Sequence, residues 1–145
     1  MEPKPFPVRL RVRYAETDQM GVAHHAVYPV WFETARSELA RAVGLPYSDW
    51  ERQGVWLMLS DLHCRYRRPA RYDEDITVWV RVAEVASRRV TFAYRVTGPD
   101  GQVLAEGETR HLTVSSETAR STVLPDDLRA SLLRDPNRTD RRATS

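Results

Sequence analysis

Residues 26–44 read AVYPVWFETARSELARAVG, and the period of this stretch decides the architecture. Tyr28, Phe32, Ala35, Leu39 and Ala42 or Val43 recur at three- and four-residue spacing, and Trp31 widens the stripe. Glu33, Arg36, Ser37, Glu38 and Arg41 supply the polar side. The pattern predicts an amphipathic helix from about Ala26 to Val43. Pro29 suits its first turn, where backbone N–H groups have no internal partner, and Gly44 followed by Pro46 ends it. Such a helix needs an apolar surface to lie on.

The flanking sequence offers strands. Upstream, Val8, Leu10, Val12 and Tyr14 alternate with Arg9, Arg11 and Arg13, the period of a half-buried strand. Downstream, a short helical piece is expected near Tyr47 to Gln53, then strands over Val55 to Tyr66, Asp75 to Val85, Arg88 to Thr97 and Gln102 to Val114. Ile76, Val78, Val80 and Val82 share one face of the third strand, and Val90, Phe92, Tyr94 and Val96 one face of the fourth. The GPDG run at 98–101 is a hairpin turn signal, and Leu124 to Leu133 reads as a short closing helix after Pro125. The predicted class is α+β: about five strands of mainly antiparallel sheet and one long helix. Residues 1–7 read as an extended lead-in, 8–133 as one domain, and 134–145 as a polar, mobile tail.

Composition narrows the function. The chain has 145 residues, enough for one core, with 41% hydrophobic and 29% charged residues. Twenty-two basic residues against twenty acidic leave a formal charge of +2, which makes no case for nucleic acid. Cys64 is the only cysteine, so neither an intrachain disulfide nor a cysteine-rich zinc site is available. No signal-like apolar run opens the sequence, and no stretch of about 18 apolar residues could span a membrane. The expected location is cytoplasmic.

The chemistry-bearing residues sit between the first strand and the helix, in YAETDQMGVAHHAVY at 14–28. An acid, Asp18, and a glycine turn, Gly21, precede two histidines, His24 and His25, at the helix mouth. Taken alone, Asp18 reads more readily as an Asx-turn residue than as a catalytic one. The histidines can equally be exposed residues at the helix start. Adjacent histidines rarely reach one ion, and His63 and His111 lie on predicted strands without ligand spacing, so no metal is expected. Glu33 and Arg36 are spaced for a salt link on the helix surface.

The run YAETDQMGVAHHAVYPVWFETAR resembles the N-terminal signature of the 4-hydroxybenzoyl-CoA thioesterase-like family of hotdog-fold acyl-CoA thioesterases. The matching positions are Tyr14, Thr17, Asp18, Gly21, His25, Tyr28, Glu33 and Arg36. A second stretch, YRRPARYDEDITVWVRV from Tyr66, is similar to that family's segment entering the third strand, and the closing hairpin matches in kind. Asparagine is frequent in the family two residues after the position of His25, where this chain has Val27.

The resemblance implies a hotdog fold, with the sheet wrapped around the central helix, and hydrolysis of an acyl-CoA thioester. Asp18 would activate water or attack the carbonyl itself, since a carboxylate in a desolvated pocket becomes a better base. The His25 backbone N–H would hold the oxyanion at the helix N-terminus, with Gly21 permitting the turn. Glu33 is the fallback base, because some hotdog thioesterases use a helix carboxylate. Coenzyme A enters as part of the substrate, so no cofactor is expected. Arginines suit its phosphates; Arg88 and Arg89 are favoured over the run Arg65, Arg67, Arg68 and Arg71. Trp31, Trp56 and Trp79 read as core or interface. The implied assembly is a homodimer with shared sites, paired into a tetramer. A non-catalytic acyl-CoA-binding module, a hotdog dehydratase and an acyl-carrier-protein thioesterase are the competing readings.

Overall fold

The computed structural model describes residues 5–138. Its elements are β1 (Phe6–Arg11), α1 (Tyr28–Ala42), α2 (Tyr47–Arg52), β2 (Val55–Tyr66), β3 (Asp75–Val85), β4 (Arg89–Thr97), β5 (Val103–Ser115) and α3 (Asp126–Leu132). The 3₁₀ turns Tyr14–Glu16 and His25–Val27 join β1 to α1. The five strands form one sheet in the order β1-β3-β4-β5-β2, and every neighbouring pair is antiparallel.

The helix buries the stripe its sequence predicts: Tyr28, Trp31, Phe32, Ala35 and Leu39 are all buried. Facing them are Ile76, Val78 and Val80 of β3 and Phe92, Tyr94 and Val96 of β4, the alternate residues of each strand. Phe32 stacks on Tyr94 with ring centroids 4.3 Å apart. Full burial of one such side chain stabilises the fold by roughly 1.5–3 kcal/mol. Beneath Phe32 lies Gly107 of β5, where a Cβ would come within 2.4 Å of the ring. Helix and sheet therefore approach closely at that point. A long helix held against an antiparallel sheet in this way is the hotdog arrangement.

Two local expectations need correction. The first strand starts at Phe6 and ends at Arg11, so Tyr14 does not share the buried face; it is 77% exposed and meets the Tyr72 ring edge-on. Val12 is still buried, its N–H bonded to the Glu74 carbonyl, and the chain then turns away from the sheet. The chain just beyond α3 also returns to the body: Arg134 donates to the Val43 carbonyl at 3.4 Å and the Asn137 amide to the Pro5 carbonyl at 3.1 Å. The remainder of the expected tail, 139–145, and residues 1–4 of the expected lead-in lie outside the described residues.

Candidate active site

The segment between β1 and α1 is a closed turn stitched to the loop after β2. The Asp18 N–H donates to the Val22 carbonyl (2.9 Å), and the Gly21 N–H to the Asp18 carbonyl (3.0 Å). Gly21 has φ +76°, a left-handed value that glycine adopts without a Cβ penalty. Thr17 pairs with Ala23, and Val22 with Arg71, in short antiparallel bridges. The Ala23 N–H reaches the Ala70 carbonyl at 2.7 Å. The Asp18 turn is thereby fixed to the loop between β2 and β3.

Within that turn Asp18 Oδ1 accepts from the Met20 N–H at 2.8 Å, the Asx-type bond that its sequence context allows. One carboxylate oxygen thus orients the group, and no protein donor among the described residues takes the other.

The helix mouth begins at His24, which caps the 3₁₀ turn His25–Val27. His24 N–H donates to the Glu16 carbonyl at 2.8 Å, and His24 Nδ1 accepts from the Ala26 N–H at 3.1 Å. The His24 imidazole is therefore the N-cap of the 3₁₀ turn. His25 is exposed, its ring lying 4.2 Å from that of His24. Its backbone N–H has no protein acceptor among the described residues, as befits a first-turn donor. Its carbonyl accepts from the Tyr66 hydroxyl at 2.8 Å. The Tyr66 ring is half exposed and meets Tyr28 edge-on, while burial of the hydroxyl, reinforced by Cys64, pushes its pKa up to about 12. Tyr66 stays protonated at neutral pH and pins the turn from β2.

Sequence reasoning missed Glu16. It is 7% exposed and accepts from the Arg13 N–H (2.8 Å) and from the Trp31 indole N–H (3.0 Å), tying the Asp18 segment to α1. A signal existed: an indole on a buried stripe needs an acceptor.

The expected Glu33–Arg36 salt link does not form. Glu33 is exposed, while Arg36 turns inward and donates to the Tyr94 hydroxyl at 3.1 Å, with its guanidinium 6.0 Å from the Phe92 ring centroid. Arg36 sits at the margin of the buried stripe, where inward hydrogen bonds replace a solvated pair. Glu33 lines a cavity between α1 and α2, away from the Asp18 turn.

Arg88 donates to Ser121 at 3.1 Å, and Arg89 pairs with Glu84 at 2.7 Å. Both lie where β4 starts, beside the end of β3, whereas the Asp18 turn meets the loop that precedes β3. One strand length, about 36 Å for eleven residues, separates those ends within a protomer. Among the other arginines, Arg67 pairs with Glu106 at 2.8 Å, and the exposed Arg68 and Arg71 belong to the loop that binds the Asp18 turn. Trp31 is core; Trp56 and Trp79 are 41% and 37% exposed. Among the described residues no cluster of three or more His, Cys, Asp or Glu could hold a metal, and no helix is long and apolar enough to cross a membrane.

Residues 12–132 match the thioesterase-like superfamily. A crystal structure of the hypothetical protein TT1821 from Thermus thermophilus is 44% identical, with a TM-score of 0.82 over 87% of this chain and 95% of that one. DHNA-CoA thioesterase from Staphylococcus aureus is 28% identical, with a TM-score of 0.83 over 88% of this chain and 87% of that one. Acyl-CoA thioester hydrolase YbgC of Escherichia coli O6:H1 is 25% identical over 119 residues, spanning 82% of this chain and 89% of that protein.

Proposed function

Because this chain belongs to the thioesterase-like superfamily, we propose that it is an acyl-CoA thioesterase whose chemistry takes place between the Asp18 carboxylate and the open N–H at the mouth of α1. The observation that carries the reading is an oriented carboxylate and an unengaged helix-start donor on the one bonded segment between β1 and α1. Relatives and structural neighbours named as acyl-CoA or DHNA-CoA thioesterases support the substrate class.

In the proposed reaction the thioester oxygen lies against the His25 N–H, where the helix dipole and an unpaired donor favour developing negative charge. Asp18 removes a proton from water as its oxygen adds to the carbonyl carbon, or adds itself to give an anhydride that water then opens. Collapse breaks the C–S bond, and the departing thiolate takes up a proton. The His25 imidazole has no part in these steps. Arg68 and Arg71 are the cations beside this site. Arg88 and Arg89 reach it only from a second subunit, consistent with a homodimer that shares its sites.

The test is thiol release from a panel of acyl-CoAs by the purified protein. Asp18→Asn should lower kcat by about 10³-fold, the scale of lost acid–base or nucleophilic catalysis. No hydrolysis by the wild type, or full activity in Asp18→Asn, would sink the proposal. Calorimetric acyl-CoA binding without turnover would favour the binding-module reading instead.

A further inference from the structure

A cavity of about 370 Å³ lies between α1 and α2, with apolar walls from Trp50, Leu57, Phe92 and Leu132. Arg36 and His111 also line it. Neither belongs to the Asp18 site, and their hydrogen bonds have a direction that can be worked out.

Arg36 can only donate, so Tyr94 Oη accepts its bond at 3.1 Å. Tyr94 is buried, and its own proton has one acceptor available, Thr109 Oγ1 at 2.6 Å. The Thr109 proton then goes to His111 Nε2 at 3.0 Å. A neutral imidazole that accepts at Nε2 carries its proton on Nδ1. Running the chain the other way would leave the Tyr94 proton without an acceptor as well. His111 is 2% exposed and its Nδ1 has no partner among the described residues, so a residue that lines the cavity carries a buried N–H left unused. Burial and the nearby Arg36 charge hold the His111 pKa down at about 4, which keeps the ring neutral. Arg36 and the His111 Nδ1 therefore offer donors and no acceptor. Glu33 and Arg41, of opposite charge, also line the cavity.

A row of apolar side chains on β2 runs between the helix mouth and this pocket. Tyr66, Leu62, Leu59 and Leu57 occupy one face of β2, opposite Ala105, Thr109, His111 and Thr113. Leu59 and Leu62 are 51% and 43% exposed along that row. It starts at the Tyr66–His25 bond and ends in the cavity. Along α1, His25 and Arg36 are eleven residues apart, about 16 Å at the helical rise.

We propose that this cavity receives the far end of the acyl group, and that Arg36 and His111 select acyl chains ending in an oxygen acceptor, a carboxylate foremost. The proposal rests on the acyl-CoA thioesterase reading for its substrate, but the pocket can be tested without turnover.

Matched acyl-CoAs with a methyl or a carboxylate end, over a range of chain lengths, give the first arm. The kcat/KM ratio of carboxylate to methyl end should rise to about 30-fold or more at the length that spans the row, since a site built of donors rejects a partner lacking the acceptor. Arg36→Met and His111→Phe should each collapse that ratio about tenfold. A ratio measured within one preparation does not depend on how much of a variant is folded. In the second arm, calorimetry with free dodecanedioic and dodecanoic acids reads the pocket even if no thioester is hydrolysed. The diacid should bind the wild type tighter and lose that advantage in both variants.

No length-dependent preference for the carboxylate end overturns the proposal while leaving the thioesterase reading intact. A diacid preference in binding but none in turnover would assign the pocket to a free acid and equally overturn the acyl-end reading. If turnover is absent altogether, the thioesterase reading fails, and equal binding of the two acids then removes the pocket proposal too.

Discussion

At Glu16 two opposing effects meet. Burial alone would raise the carboxyl pKa, but the Arg13 N–H, the Trp31 indole and the Arg13 guanidinium outweigh it and hold the pKa below the ordinary 4.5. A folded-state pKa below the unfolded one means that stability is contributed above the usual carboxylate range and lost as acid protonates the folded form. Glu16→Gln should therefore destabilise by about 1–3 kcal/mol at neutral pH, and the deficit should shrink below about pH 4. Urea unfolding at both pH values measures it; an equal deficit at each would mean that the charge is immaterial. Tyr66 acts at the same scale on the other side of the helix mouth. Tyr66→Phe removes the donor to the His25 carbonyl while keeping the ring against Tyr28. Because it only positions the turn, kcat should fall about three- to tenfold with KM little changed. An unchanged kcat would show that the turn holds its place without that bond.

Between elements, the contact between α1 and β5 depends on a missing side chain. Gly107→Ala would place a Cβ at 2.4 Å from Phe32 and 2.9 Å from the His63 carbonyl, so helix or strand must shift. Overpacking of this kind costs about 1–3 kcal/mol, and a thermal melt should show it; an unchanged midpoint would mean that Phe32 has room to move. The elements themselves were largely legible, because helix and strand periods are written directly in residues such as Phe32, Leu39, Phe92 and Val96. Less legible were residues whose role depends on a partner far along the chain. Glu16 looks like a loop acid until Trp31 is folded beside it, and Arg36 looks like a surface cation until Tyr94 lies within reach. Tyr66 is a recognisable strand residue, yet its partner carbonyl is 41 positions away. His24, by contrast, is explained by local geometry, as a cap on the turn that follows it.

For the whole molecule, the unanswered feature of one protomer is β2. It is a twelve-residue strand that pairs only with β5, so one long edge stays open. Proteins normally blunt such an edge with charge or cover it. Here Trp56, Met58, Leu59 and Leu62 leave apolar surface along it, at 41%, 48%, 51% and 43% exposure. At the helix mouth His24 and His25 are both exposed. A second copy pairing β2 to β2 would extend the sheet, cover the apolar strand and supply a wall for the mouth. A two-fold contact is self-complementary, so a lysine placed on the edge meets its own image across the axis. Trp56→Lys combined with Met58→Lys should therefore convert a wild-type dimer to a monomer in light scattering, while leaving Leu59 and Leu62 in place. Because the sites are shared in this arrangement, kcat/KM should fall with the dimer, by about 100-fold or more, as the positioning of substrate is lost. A wild-type monomer with full activity, or a double variant that remains dimeric, would show that β2 is covered by something other than a second copy of this chain.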